Sequence, residues 1–113
     1  MNIEFKTSEL GKCANNESYA KRKLGPDRAR LFFLRLNALY SATTFEDLRS
    51  AAGHFHELTH DRKGQWGFDL DHPYRLILTP KITPIPMDED NKYIWDSIRD
   101  AIVVEIVNYH KEK

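Results

Sequence analysis

The chain has 113 residues, 41% hydrophobic and 12% aromatic, which matches the size of one domain with material for one core. Seventeen basic residues balance seventeen acidic ones, so no global basic excess marks it for nucleic acid. A single cysteine, Cys13, excludes an internal disulfide and a cysteine-based zinc site; no apolar run approaches the roughly 18–20 residues of a membrane span, and the opening MNIEFKTSEL lacks a signal peptide's order, so a cytoplasmic protein with no membrane association is expected.

Asn2 to Lys6 alternate, with Ile3 and Phe5 on one side, which predicts a short strand. Ser8 reads as an N-cap, and Leu10, Cys13, Ala14, Ala20 and Leu24 then fall on one helical stripe. Gly25 is a stop, and Pro26 suits the first turn of a second helix bearing Ala29, Phe32, Phe33, Leu36, Leu39 and Tyr40. The two helices predict an antiparallel hairpin, and the basic residues Lys21, Arg22, Lys23, Arg28, Arg30 and Arg35 read as its solvated face. Thr43 and Glu46 have capping-box spacing, placing a short helix over about 45–50.

After Gly53 the period changes to two. His54, His56 and Leu58 share one predicted strand face, Asp61-Arg62-Lys63-Gly64 is a turn, and Trp66, Phe68 and Leu70 line the core side of the next strand. Asp71-His72-Pro73 turns again into a strand over Tyr74 to Thr79, completing a three-stranded meander. Prolines 80, 84 and 86 exclude a regular element until about Asn91, and Tyr93 to Asp100 are expected to form one or two helical turns. Ile102 to Val107 form a final strand whose apolar faces assign it a central place. The expected fold is a single α+β domain over 1–113. A helical hairpin packs on a curved, mainly antiparallel sheet of four to five strands, with a loop and short-helix insert at about 81–100.

No glycine-rich phosphate loop, nucleophile elbow or His-Glu-x-x-His is present. Five histidines remain, at 54, 56, 60, 72 and 110. His54 and His56 can face one side together, but no third ligand follows at suitable spacing, so neither metal nor cofactor is expected. Arg75 sits early in a strand after a tight turn, and Asn108-Tyr109-His110 is a polar tail on an apolar strand.

His56-Glu57-Leu58-Thr59-His60-Asp61-Arg62-Lys63-Gly64-Gln65-Trp66 resembles the His-x-Leu-x-x-Asp-Arg-x-Gly-x-Trp segment of HigB-like toxins in the RelE/ParE superfamily of type II toxin–antitoxin systems. Asp69-Leu70-Asp71-His72-Pro73-Tyr74-Arg75-Leu76-Ile77 is similar to the family's next strand, and Asn108-Tyr109-His110 to its C-terminal Asp-Tyr-His. The Leu-Asp-His-Pro-Tyr-Arg version with a proline-containing insert resembles members labelled killer proteins. The resemblance implies a RelE/ParE-like fold and a metal-independent, ribosome-dependent mRNA endonuclease that inhibits translation. It also implies silencing by a cognate helix-turn-helix, HigA-like antitoxin, with operator DNA contacted only through that partner.

By the same resemblance His56, Arg75, Tyr109 and His110 are the catalytic candidates, and Asn108, Lys63 and Arg62 the substrate-binding ones. Cleaving RNA needs a base for the 2′-hydroxyl proton, an acid for the leaving 5′-oxygen and a cation for the charged phosphorane, which two histidines and an arginine can supply. Asn108 replaces the family's Asp, so only hydrogen bonding is left at that position, and Asp88, Glu89 and Asp90 would repel RNA if they bordered the cleft. The alternative expectation is a non-nucleolytic binding module on the same fold, either a ParE-like gyrase inhibitor or an inactive co-repressor. Because a regular strand sends Tyr109 opposite to His110, joint action by the two requires an irregular chain end.

Overall fold

A computed structural model describes residues 1–112. The elements are β1 (Asn2–Phe5), α1 (Ser8–Asn15), α2 (Glu17–Leu24), α3 (Pro26–Ser41), β2 (His56–Glu57), β3 (Trp66–Asp69), β4 (Tyr74–Pro80) and β5 (Asp100–Asn108). Short 3-10 turns occupy Phe45–Leu48, His60–Arg62, Trp95–Ser97 and Tyr109–Glu112. The fold is α+β, and its five strands form one mixed sheet in the order β1-β5-β4-β3-β2. β1 pairs with β5 in parallel and every other pairing is antiparallel, so β5 is interior and β2 to β4 form the expected meander. Between Ile77 and Leu78 the β4–β5 register slips, leaving Val104 as the extra residue of a bulge, a feature that increases local twist.

The single N-terminal helix read from the apolar stripe is two helices. Asn16 ends α1 in an extended conformation (φ −145°) and its side chain accepts from the Tyr19 N–H at 3.0 Å, capping α2. Asparagine offers the backbone this local alternative to a continuing helix, whereas apolar spacing is blind to it. Two caps also move by one residue. Thr7, not Ser8, accepts from the Leu10 N–H at 3.2 Å, and the capping box is Thr44 with Asp47 rather than Thr43 with Glu46. Gly25 (φ 89°) and Pro26 then turn α2 into α3 as the sequence requires.

Ala29, Phe32, Leu36 and Leu39 of α3 are buried in one core with Leu76 and Leu78 of β4, Trp66 and Phe68 of β3, and Ala101 and Val103 of β5. Phe33 is half-buried and Tyr40 exposed, so the apolar stripe of α3 is wider than its contact. A second packing centre joins Phe45 and Phe55 to Trp66 and Trp95. Ring centroids stand 5.0–5.8 Å apart in edge-to-face pairs, an arrangement that favours aromatic quadrupoles. Trp95 is therefore core, with its Nε1–H donating to Glu57 at 2.7 Å. The insert is held down at this point, and only Trp95–Ser97 of the expected helical stretch takes a helical turn.

The expected strand from His54 to Leu58 shrinks to His56–Glu57. Gly53 (φ 106°) and His54 (φ 50°) both occupy the left-handed region, which ends any extended run before His56. The helices cover one sheet face. The opposite face carries His56, Gly67, Asp69, Arg75, Ile77, Glu105 and Val107, which pair across the four strands β2-β3-β4-β5. Among the described residues no helix is long and apolar enough to cross a membrane.

Candidate active site

Arg75 is the centre of that open face. Sheet register sets it directly between Asp69 of β3 and Val107 of β5. Its Nε–H donates to Asp69 Oδ1 at 3.2 Å, and its guanidinium carbon lies 3.8 Å from the centroid of Tyr109. The carboxylate and the ring together hold the guanidinium in one orientation. The two terminal nitrogens make no hydrogen bond to any described residue.

One row along, His56 pairs with Gly67. A methyl group on Gly67 would stand 3.3 Å from Arg75 Cδ and 3.3 Å from His56 Cε1. Glycine is what allows the imidazole and the arginine stem to lie side by side over β3. The His56 Nδ1–H donates to the His54 carbonyl at 2.6 Å, which leaves Nε2 as the lone-pair nitrogen of the neutral ring. Burial, above all, pushes the His56 pKa below its usual value, and Arg75 and His54 push the same way against the opposing effects of the His54 carbonyl and Asp69. These effects favour the neutral, proton-accepting form of the His56 ring.

The irregular chain end that joint action requires is present. β5 stops at Asn108, whose Oδ1 accepts from the His110 N–H at 3.1 Å and so caps the Tyr109–Glu112 turn. Tyr109 and His110 consequently stack, with ring centroids 5.0 Å apart. His110 Nε2 meets His72 Nε2 at 2.9 Å, and the Tyr109 hydroxyl lies 3.3 Å from His72 Nδ1. A nitrogen–nitrogen hydrogen bond needs one ring to donate and the other to accept, so this contact pairs the His72 and His110 imidazoles. The turn carrying His72 is secured from α3: Arg28 donates to both oxygens of Asp71 at 3.0 and 3.1 Å and lies over Tyr74, 3.4 Å from its centroid.

The seven residues singled out in the sequence divide as follows. Arg75, Tyr109 and His110 form a run of contacts at one end of the open face, and His56 lies beside the Arg75 stem over Gly67, but neither His56 nor His110 lines the concavity that Arg75 and Tyr109 share. Arg62 joins Arg75 and Tyr109 on the lining of a concavity of about 250 Å³, while donating to Gln65 and Glu105. Asn108 serves the terminal turn. Lys63 is exposed and lines a different concavity with Arg49, Glu57 and Trp95, so it does not join the Arg75 group. Asp88, Glu89 and Asp90 are exposed, and no residue of the insert lines the Arg75 concavity.

Three functional candidates were missed. Gly67 carried a legible signal, a glycine inside a strand. Asp69 and His72 carried none, since their partners lie across the sheet or at the chain end. The basic cluster also divides: Arg28 turns inward to Asp71, and Arg35 donates to the Asp69 carbonyl at 2.6 Å. In comparisons with known proteins, the chain matches no family model and no curated protein.

Proposed function

We propose that this chain is a HigB-like toxin of the RelE/ParE type, an endoribonuclease that cuts message in the ribosomal A site and is silenced by a helix-turn-helix antitoxin. The observation that carries the reading is Arg75, held between Asp69 and Tyr109, with the His56 imidazole beside it over Gly67 and the hydrogen-bonded His72–His110 pair next to Tyr109.

In this mechanism the free nitrogens of Arg75 hold a non-bridging phosphate oxygen. His56 Nε2 takes the 2′-hydroxyl proton, and the 2′-oxygen attacks phosphorus. Arg75 offsets the charge that accumulates on the phosphorane. His110, hydrogen-bonded to His72, protonates the leaving 5′-oxygen, giving a 2′,3′-cyclic phosphate and a 5′-hydroxyl. Tyr109 is first a platform for Arg75, because its ring is already in contact with the guanidinium and with His110. The neutral net charge is compatible with this chemistry, since the cation needed at phosphorus is local.

Induced expression in a bacterial host tests the proposal. Growth arrest with message cut at A-site codons, relieved by His110→Ala, is the expected result. Arrest with intact message and altered DNA supercoiling would instead select the gyrase-directed module. Equal toxicity of the His110→Ala variant would remove that residue from the mechanism.

A further inference from the structure

The open face holds a second arrangement, in which His54 joins His56 and Asp69 of the proposed nuclease site. His54, His56 and Asp69 each offer one ligand atom, and these atoms lie within 4.8 Å of one another. His54 Nδ1 is 3.7 Å from Asp69 Oδ2, while Asp69 Oδ1 is the oxygen occupied by Arg75. The two imidazoles are stacked, centroids 4.2 Å apart and planes within 12°. This closeness accompanies the left-handed backbone of His54 (φ 50°), which replaces the wider two-residue spacing of a regular strand. A tetrahedral zinc with bonds of about 2.0–2.1 Å sets its ligand atoms roughly 3.4 Å apart, so the His54–Asp69 edge is already near the required span. Asp69 is the third ligand absent from the local sequence, delivered by the β2–β3 pairing and the turn at Gly53, whose carbonyl accepts from the Asp69 N–H at 2.7 Å.

We infer that His54, His56 and Asp69 form a binding site for one divalent zinc-like ion, and that occupancy switches the nuclease off. Two imidazole nitrogens and one carboxylate oxygen leave the fourth position of the ion to water. The donor nitrogen of His56 is Nε2, because Nδ1 is committed to the His54 carbonyl. A bound ion therefore takes the same lone pair that would accept the 2′-hydroxyl proton. The metal site stands on geometry alone; its inhibitory role rests on the nuclease reading.

Calorimetric titration of the full chain with zinc chloride tests both parts when paired with an RNA-cleavage assay on programmed ribosomes. The wild type is expected to bind one equivalent. His54→Asn, whose replacement tolerates the left-handed backbone, and Asp69→Asn should each bind at least about tenfold more weakly. His110→Ala should bind as the wild type does. In the cleavage assay zinc should inhibit the wild type, and the His54→Asn protein should cut at the wild-type rate without zinc and resist inhibition. No zinc binding by the wild type, or undiminished binding by His54→Asn, would overturn the site. Binding lost in His54→Asn while every variant is inactive on RNA would sustain the site and overturn both its regulatory role and the nuclease reading. Cleavage insensitive to bound zinc would overturn the regulatory role alone.

Discussion

The guanidinium of Arg75 rests 3.8 Å from the centre of the Tyr109 ring, so the cation on β4 is mounted on a side chain delivered by the terminal turn. Tyr109→Phe keeps that ring and loses only the hydroxyl facing His72, whereas Tyr109→Leu removes the platform. Cation–aromatic contacts are worth about 0.5–2 kcal/mol, so the leucine variant should lose roughly threefold to thirtyfold in cleavage while phenylalanine stays near wild type. Arg75→Ala should cost about a hundredfold to a thousandfold, the usual effect of removing one donor to a developing oxyanion. Single-turnover cleavage on programmed ribosomes measures both. Equal losses for the phenylalanine and leucine variants would refute the platform role.

Gly67→Ala isolates geometry from chemistry. The added methyl would meet His56 and Arg75 at 3.3 Å each, together with Leu58 at 3.2 Å, and must push them apart by a few tenths of an ångström. Alanine is intrinsically better than glycine within a strand by about 0.5–1 kcal/mol, so thermal stability should change little. Cleavage should nonetheless fall about tenfold, since misplacement of reacting groups is costly. A stable protein with wild-type activity would show that the close placement of His56 and Arg75 over Gly67 is not needed.

His56 has a lower pKa in the fold than in the unfolded chain. The unfolded state therefore binds more protons as pH falls through about 6.5, and the stability tied to the neutral ring is complete above that value and lost below it, down to the depressed native pKa. Chemical denaturation followed from pH 5 to 8 should show stability declining on the acid side, with a shallower decline in His56→Asn. Cleavage should lose rate over the same acidic range as its base becomes protonated. A rate that rises on acidification below pH 6.5 would assign His56 the opposite role.

His72 and His110 share one hydrogen bond at 2.9 Å and should behave as one unit. His110→Ala and His72→Ala are each expected to lower cleavage about a hundredfold or more, the range of a general acid. The double variant should fall little further than the worse single one, because groups that act together are not additive. Full additivity in this cycle would mean independent roles.

The acidic residues of the insert make the opposite forecast. Asp88, Glu89 and Asp90 are exposed and lie outside the Arg75 concavity, so replacing all three by their amides should leave cleavage within about twofold at physiological salt, which screens exposed charges. A large gain in activity would mean that RNA passes over the insert.

Much of the architecture was readable because its signals are local. Gly25-Pro26 marks the turn between helices, the alternation of Trp66, Phe68 and Leu70 marks a strand with one buried face, and the apolar run of β5 marks an interior position. Errors arose where a local hydrogen bond competes with apolar spacing. Asn16 breaks a helix that the hydrophobic stripe would continue, and the left-handed His54 cuts short a strand. The candidate site was legible only as scattered residues, His56, Arg75, Tyr109 and His110.

The sequence by itself determined most of the elements and their order, because periodicity and turn chemistry depend on neighbours along the chain. Only the tertiary structure decided which polar side chains meet. Antiparallel register sets Asp69 beside Arg75, and the cap at Asn108 turns Tyr109 and His110 to one side. A glycine across the sheet gives His56 and the Arg75 stem room to lie side by side. These contacts join residues up to tens of positions apart, and their geometry is set by strand pairing rather than by local spacing.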